Sequence, residues 1–293
     1  MRFQRSLRLC RYRAASLVIA ALAACTTDAV RGADKEMLAS GLENPESVAR
    51  GHDGRLYVTV IGKSGTDGDG TVAVLEDGKA KTFARGLDDP KGLVAHGENL
   101  FVADKTRVWK IDNTGNATVY AAAEDFPVKP KFLNDIEADV DGDIFVSDCG
   151  TFVSDGAVFR IKPTKEITVV VSQKTAPELK APNGLLIDGK DNLLVADFTA
   201  GKLYRADLTD GKLTALASGF GGADGLARDG QGRVYVSDWK GGRVFVLAAG
   251  DNQAQLFVDG FQAAADVAFD AKTGKLLVPD MKAGTLTAVT PDN

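Results

Sequence analysis

The chain has 293 residues, of which 44% are hydrophobic and 26% are charged, a composition typical of a globular protein rather than a disordered or fibrous one. The formal net charge is -5 at pH 7, and the sequence contains no basic stripe interleaved with aromatic residues. A nucleic-acid partner is therefore not expected.

The first 25 residues predict a signal segment rather than part of the fold. Five arginines fall within residues 2–13, and an apolar run follows at residues 14–24. This run is too short to span a bilayer, because a transmembrane helix needs about 20 apolar residues. The sequence LAAC at residues 22–25 resembles a bacterial lipobox, whose cysteine, here Cys25, becomes the lipidated N-terminus. The alternative is ordinary signal cleavage close to that cysteine.

Both alternatives predict export. Thr26 follows the cysteine in place of the aspartate that would indicate inner-membrane retention. We therefore expect a lipoprotein of the outer membrane, anchored through Cys25 and facing the periplasm, with residues 26–35 as a tether. The remaining cysteine of the expected domain, Cys149, has no disulfide partner there, and we expect it to be packed rather than reactive.

After this segment, one sequence motif recurs six times at a spacing of roughly 40 to 50 residues. Its clearest form is DGLARDGQGRVYVSD at residues 224–238. Each repeat contains short apolar runs separated by turn residues, as in GLLIDG, NLLVAD, KLYRAD and TALASG of the fourth repeat. The pattern predicts an all-β protein, a six-bladed β-propeller with four-stranded blades, over residues 36–293.

The two ends of this region predict how the ring of blades closes. The sixth repeat stops after GTLTAV without a fourth strand, whereas EMLASGL at residues 36–42 precedes the first repeat and has the pattern of a fourth strand. We expect this N-terminal strand to complete blade six, which also removes two exposed sheet edges.

The first position of each repeat opens the innermost strand, so these positions should surround the mouth of a central channel. They are Glu46, Lys91, Asn134, Asn183, Asp224 and Ala265. Four of them offer side-chain oxygens, which suits a hard divalent cation: Ca²⁺ is the expected ion, with Zn²⁺, Mn²⁺ and Mg²⁺ as alternatives. The competing interpretation is that these polar residues only line a wet funnel.

These residues resemble a known family. Glu46 in PESV, Asn134 in FLNDIEAD, Asn183 in APNGLLID and Asp224 in ADGLARD are similar to the four metal ligands of the gluconolactonase and regucalcin-like six-bladed propellers, to which the paraoxonases are related. The resemblance implies hydrolysis of a lactone or sugar-derived small molecule. The paraoxonases carry a histidine near the mouth, where this chain has Lys91.

The expected chemistry is metal-assisted hydrolysis. His52 and His96 fall in turns at the opposite face, so no Ser-His or Cys-His pair can form at the mouth. The resemblance favours Asp224 as the general base, while the residues alone leave Glu46 as an alternative. Lys91 would stabilise an oxyanion or hold an acidic substrate group, or it would form a salt bridge with Asp88, Asp89 or Asp104.

Three further patterns are interpreted as follows. Aspartates end the second strand of five repeats and are expected to be structural acceptors of turn N–H groups: Asp104, Asp148, Asp197, Asp238 and Asp280. The DVDGD turn at residues 139–143 lacks the later glutamate of a calcium loop. Phe198 and Trp239 should face the mouth, either against a substrate ring or in packing between blades.

Two functions remain open from the sequence. The first is an exported metal-dependent lactonase. The second is a non-catalytic propeller related to NHL-repeat proteins, which would bind a protein or a small ligand at the cell envelope.

Overall fold

The computed structural model describes residues 34–291, together with Met1. The predicted signal segment, the lipobox with Cys25 and nearly all of the predicted tether lie outside the described residues. Within residues 34–291 the chain is all-β, and a short 3-10 turn at Ala123–Asp125 is the one helical element. No helix in this described part is long and apolar enough to cross a membrane.

The first strand of the described residues is β1 (Lys35–Ser40), and the first three blades follow it. The strands of blade one are β2 (Pro45–Arg50), β3 (Leu56–Val60), β4 (Gly70–Glu76) and β5 (Lys79–Leu87). The strands of blade two are β6 (Pro90–His96), β7 (Asn99–Asp104), β8 (Arg107–Ile111) and β9 (Ala117–Ala121). The strands of blade three are β10 (Leu133–Ala138), β11 (Ile144–Asp148), β12 (Ala157–Ile161) and β13 (Ile167–Ser172).

The second half repeats this order. The strands of blade four are β14 (Pro182–Ile187), β15 (Asn192–Asp197), β16 (Lys202–Asp207) and β17 (Leu213–Ser218). The strands of blade five are β18 (Ala223–Arg228), β19 (Val234–Asp238), β20 (Arg243–Leu247) and β21 (Gln255–Val258). The chain-terminal strands of blade six are β22 (Ala268–Asp270), β23 (Lys275–Asp280) and β24 (Thr285–Val289).

Blade six is completed by the N-terminal strand, as predicted. β1 pairs antiparallel with β24, with Lys35 opposite Val289 and Ser40 opposite Thr285. The result is six four-stranded antiparallel sheets. The ring is thereby closed by hydrogen bonds between the first and last strands of the described chain.

The apolar core lies between the blades. Each of six buried clusters joins residues of two neighbouring blades, so every blade buries both of its faces. In β7, for example, Val102 packs towards blade one and Ala103 towards blade three. This explains why the second strand of each repeat is a nearly continuous apolar run rather than an alternating one.

The inner strands approach one another closely around the channel, and glycine permits this approach. A Cβ atom added to Gly184 would lie 2.1 Å from the backbone oxygen of Asp224. One added to Gly92 would lie 2.6 Å from the Cα atom of Asp135. Larger residues at these positions would push neighbouring blades apart.

Candidate functional site

An equivalent backbone register holds the six mouth positions. In every blade the residue just before the mouth position lies opposite the residue that ends the second strand. These pairs are Pro45–Val60, Pro90–Asp104, Leu133–Asp148, Pro182–Asp197, Ala223–Asp238 and Ala264–Asp280. The six mouth positions, here called the mouth ring, therefore occupy the same place in six blades.

A β-bulge follows that pair in blades one to five. In β2 the register passes from Pro45 opposite Val60 to Val48 opposite Val58, so that Glu46 and Ser47 both oppose Thr59. The hydroxyl of Thr59 accepts the N–H of Ser47 at 2.9 Å, which satisfies the extra backbone donor. Bulges re-aim side chains beside functional sites. In blades one and three, where the next residue has a side chain, Ser47 and Asp135 follow Glu46 and Asn134 towards the channel.

The four predicted oxygen donors are all buried in the mouth ring. Glu46, Asn134, Asn183 and Asp224 are each exposed by 5% or less. Three buried side-chain oxygens have no hydrogen-bond partner within the described residues: Glu46 Oε2, Asn134 Oδ1 and Asn183 Oδ1. Buried polar atoms are nearly always satisfied, so three unpartnered oxygens in one ring call for a partner from outside the chain, which water, a ligand or an ion can supply.

The electrostatics of the mouth ring are dominated by buried negative charge. Burial raises the pKa of Glu46 well above its usual range, Asp224 and Asp266 raise it further, and Lys91 acts in the opposite direction. Burial also raises the pKa of Asp224 well above its usual range, with Asp266 adding to the effect and a hydrogen bond from Asn183 opposing it. Among residues 34–291, Lys91 is the one cation that acts on these carboxylates.

Lys91 does not form the salt bridge considered from the sequence. Its Nζ donates to the backbone oxygen of Asp89 at 3.0 Å and lies 4.3 Å from the centre of the Phe132 ring. Burial lowers the pKa of Lys91, while Glu46 acts to raise it. Lys91 is 5% exposed and acts electrostatically on Glu46, so its ammonium group lies within the mouth rather than at the surface.

A second layer of carboxylates lies directly below the mouth ring, and the sequence-based reasoning missed it. Ser47 donates a hydrogen bond to Asp266 at 2.5 Å, and the carboxyl groups of Asp266 and Asp135 are themselves hydrogen-bonded. Asp135 also accepts the N–H of Leu185 at 2.5 Å. Burial raises the pKa of Asp266 to about 7. The residue that follows each mouth position could have indicated this layer, because it is glycine in three blades and aspartate in two.

A cavity lies beyond this layer, on the side of the opposite face. A cavity of about 400 Å³ is lined by the later residues of the inner strands, with Asp135 and Asp266 at its inner end. Glu137 lies in it, and burial raises the pKa of this carboxyl to about 7. Arg50 and Arg228 stand at its rim and are paired with Asp270 and Asp188 respectively. Two buried layers of carboxyl groups thus separate the mouth from the far end of the channel.

The strand-end aspartates are scaffold, as predicted. The carboxylate of Asp197 accepts the N–H groups of Lys180, Ala181, Thr199 and Ala200. Each of the other four accepts the backbone N–H groups of the two residues that directly precede the inner-strand residue opposite it. They fix the backbone that carries the mouth ring and do not themselves line it.

The DVDGD segment and Cys149 both have structural roles. The DVDGD segment is a turn, in which Asp139 accepts the N–H groups of Asp141 and Asp143. Cys149 is buried, its thiol lies 3.1 Å from the backbone oxygen of Pro182, and burial raises its pKa well above the usual range. A thiol in that state is not a nucleophile.

No cluster of three or more His, Cys, Asp or Glu side chains placed to hold a metal occurs among the described residues. The mouth ring differs from such a cluster because two of its four oxygen donors are the asparagines Asn134 and Asn183. Amide oxygens suit Ca²⁺ and similar hard cations.

The arrangement defines a six-bladed propeller with a buried, oxygen-rich ring at one mouth of its channel. The chain belongs to the family described as SMP-30/gluconolactonase/LRE-like region, which it matches over residues 71–278. This confirms the resemblance noted from the sequence.

Solved structures show the same fold. A gluconolactonase from Xanthomonas campestris superposes with a TM-score of 0.74 at 18% identity, over 90% of this chain and 91% of that one. A putative gluconolactonase superposes with a TM-score of 0.71 at 19% identity, over 89% and 93% of the two chains. A catalytically inactive variant of the virginiamycin B lyase from Staphylococcus aureus, with quinupristin, reaches 0.59 at 14% identity, over 88% and 99%. No curated protein matches the chain.

Proposed function

We propose that this protein is a lactonase that uses a divalent cation, with Ca²⁺ as the expected ion, held by Glu46, Asn134, Asn183 and Asp224. The observation that carries the proposal is the set of three unpartnered buried oxygens in the mouth ring. Four protein oxygens fall short of the six to eight that Ca²⁺ takes, which leaves positions for water and substrate. Membership of the gluconolactonase-like family supports a small-molecule lactone as the substrate class.

The two carboxylates of the ring have different surroundings, and we assign them different roles. Lys91 favours the charged form of Glu46, which suits a permanent ligand. Burial and Asp266 raise the pKa of both carboxyl groups, but for Asp224 the opposing group among the described residues is the amide of Asn183 rather than a lysine, which suits a group that takes up a proton. Asp224 is therefore our choice as the general base, in agreement with the family resemblance.

A bound divalent cation would polarise the lactone carbonyl and lower the pKa of a water molecule. In the reaction Asp224 takes a proton from the attacking water as the new C–O bond forms. The ring C–O bond then breaks, and the same proton passes to the leaving alkoxide, giving the hydroxy acid. Lys91 supplies positive charge from the opposite side of the ring to the oxyanion that develops on the carbonyl oxygen.

The test is hydrolysis of a panel of sugar and aliphatic lactones by the purified protein, with and without a chelator. Asp224→Asn should lower kcat by about 100-fold or more, as expected for loss of a general base. Asp141→Asn is the matched control, because Asp141 is an exposed carboxylate in the turn between β10 and β11. Failure of the metal-replete protein to open any lactone would refute the proposal and leave the non-catalytic propeller as the better account.

We also propose export and lipid anchoring through Cys25, on the basis of the LAAC sequence and the preceding basic and apolar segments. Labelled palmitate should be incorporated into the full chain in a bacterial host and should be lost in Cys25→Ser. Incorporation that persists in this variant would refute the anchor.

A further inference from the structure

Four aromatic side chains contact one another in series along one side of the mouth. The ring centres of Phe132 and Phe152 are 5.0 Å apart, those of Phe152 and Phe198 are 5.8 Å apart, and those of Phe198 and Trp239 are 6.2 Å apart. All four side chains are half-buried rather than enclosed in the core. This set is called the aromatic arc below.

The backbone fixes the arc next to the mouth ring. The N–H of Phe198 donates to the oxygen of Ala181, two residues before Asn183. In the next blade, the N–H of Trp239 donates to the oxygen of Gly222, two residues before Asp224. The arc therefore lies beside the half of the ring formed by blades three to five, next to the proposed general base.

Gly222 allows the arc to close onto this backbone. A Cβ atom added there would lie 3.0 Å from Cε2 of Phe198 and 3.2 Å from Cγ of Lys240. The indole N–H of Trp239 also lies 3.3 Å from the sulfur of Met281 in blade six, which fixes the orientation of the indole. The arc is consequently a preformed surface.

Phe152 adopts an unusual backbone conformation to join the arc. Its φ of 66° is in the left-handed region, which costs a bulky residue about 1–2 kcal/mol. The hydroxyl of Thr199 in the next blade donates to the oxygen of Phe152 at 2.7 Å and holds the loop there. Strain of this kind is found where surrounding structure and function require it.

Two lysines give the free end of the arc a positive charge. Lys240 lies 4.6 Å from the centre of the Phe198 ring, and Lys282 lies 4.2 Å from that of Trp239. Both side chains are exposed, and within residues 34–291 neither forms an ion pair with a carboxylate. Lys105 and Lys131, at the end of β7 and before β10, are instead paired with Asp67 and Asp155.

We propose that the aromatic arc and these two lysines form a subsite for an aromatic group that carries a carboxylate. The planar group stacks on Phe198 and Trp239, and the carboxylate pairs with Lys240 and Lys282. Aromatic surfaces next to lysines without a carboxylate partner select a ligand that is both flat and anionic. A neutral sugar would leave both ammonium groups without an anionic partner. The assignment of this group as a substituent of the lactone substrate rests on the proposed function.

The binding test uses the full chain carrying Trp109→Phe, which leaves Trp239 as the single indole because the sequence has two tryptophans. Trp109 donates a hydrogen bond to Asp104, whose carboxylate keeps the backbone N–H groups of Asp88 and Asp89 in the variant. Quenching of the indole fluorescence is titrated with 3-phenylpropanoate and with neutral 3-phenylpropanamide.

The carboxylate should quench saturably and bind about fivefold or more tightly than the amide, in line with two exposed charge contacts. The double change Lys240→Ala and Lys282→Ala should remove this difference and leave the affinity for the amide within about twofold. Phe198→Leu should weaken both ligands. Lys63→Ala is the matched control, because Lys63 is an exposed lysine of the loop between β3 and β4 that lies over no aromatic ring among the described residues.

Equal affinity for carboxylate and amide, no saturable quenching, or an equal loss in Lys63→Ala would each overturn the subsite. Lactone hydrolysis is measured separately on the same protein. If the carboxylate binds as expected and no lactone is opened, the proposed function fails and the subsite stands. If lactones are opened and the carboxylate shows no preference, the subsite fails and the proposed function stands.

Discussion

Replacement of Asn134 by leucine would separate a ligand role from a structural role for this side chain. Asn134 is 5% exposed, its Oδ1 has no partner, and its side chain makes no hydrogen bond within the described residues. Leucine has the same branched side-chain skeleton, is somewhat larger, and carries no polar atom. The substitution therefore removes a buried, unsatisfied group and one proposed metal ligand at the same time.

Removing the unsatisfied group should raise the melting temperature of the metal-free protein. Removing the ligand should take away the rise in melting temperature that metal gives the wild type. An unsatisfied buried polar group costs about 1–3 kcal/mol, and 1 kcal/mol shifts the melting temperature of a domain of this size by about 2–4 °C. The metal-free variant should therefore melt at or above the wild-type temperature, by up to about 10 °C. With free metal at about 100 times Kd, the wild type should gain about 2.7 kcal/mol, or roughly 5–10 °C, and the variant should not.

The assay is calorimetric melting of both proteins in chelator and then in Ca²⁺. Lys91→Met is the control within the same ring, because it removes a side chain that is not an oxygen donor and so should keep the upward shift with metal. A leucine variant that melts lower than the wild type by the same amount in both conditions would refute the reasoning, since Asn134 would then act only in packing.

Three further outcomes follow from the scaffold and the channel. Asp197→Asn should lower the free energy of unfolding by about 2–4 kcal/mol in urea titration, because an amide cannot accept the four backbone N–H groups that the carboxylate accepts; an unchanged value would contradict the structural role. The pKa of Glu137 is raised to about 7, so its contribution to stability is complete below about pH 4 and is lost as the pH rises through 7. Wild-type stability should accordingly fall more steeply between about pH 4.5 and 7 than that of Glu137→Gln, by up to about 1.4 kcal/mol per pH unit, and parallel pH profiles would show the reasoning to be wrong. A chain that starts at residue 45 lacks β1 and should lose cooperative unfolding, whereas one that starts at residue 34 should keep it.

The sequence predicted the fold well because the fold repeats. Six copies of one apolar pattern specify six equivalent blades, and the absence of a fourth strand in the last copy predicts that the first strand closes the ring. The structure confirms both, since it has six four-stranded sheets and Lys35 lies opposite Val289. Equivalence between copies also placed Glu46 and Asp224 in one ring, although they are far apart in the chain.

The same reasoning missed the layer formed by Asp135 and Asp266. Strict alternation along a strand sends successive side chains to opposite faces, so a residue next to a mouth position would be assigned to the blade interior. The β-bulge breaks this alternation at that point in blades one to five, and in blade six the register shifts by one residue between Ala264 opposite Asp280 and Ala268 opposite Leu277. No residue type in the repeat marks the bulge, and its position emerges only from the pairing of the strands.

The partners of individual side chains were likewise beyond the sequence. Nearby aspartates suggested a salt bridge for Lys91, but the folded chain directs its ammonium to a backbone oxygen and the face of Phe132. Phe198 and Trp239 were expected at the mouth, whereas their contact with Phe152 depends on a loop held by Thr199 from the next blade.

The sequence by itself determined the number of blades, the closure of the ring and the identity of the side chains at its mouth, because a repeat fixes equivalent positions whatever the details of packing. Only the tertiary structure decided which buried oxygens are left without partners, how the carboxylates below them meet, and where aromatic rings and lysines gather. Those properties depend on distances across the channel between different blades, which cannot be read from the order of residues along the chain before the chain is folded.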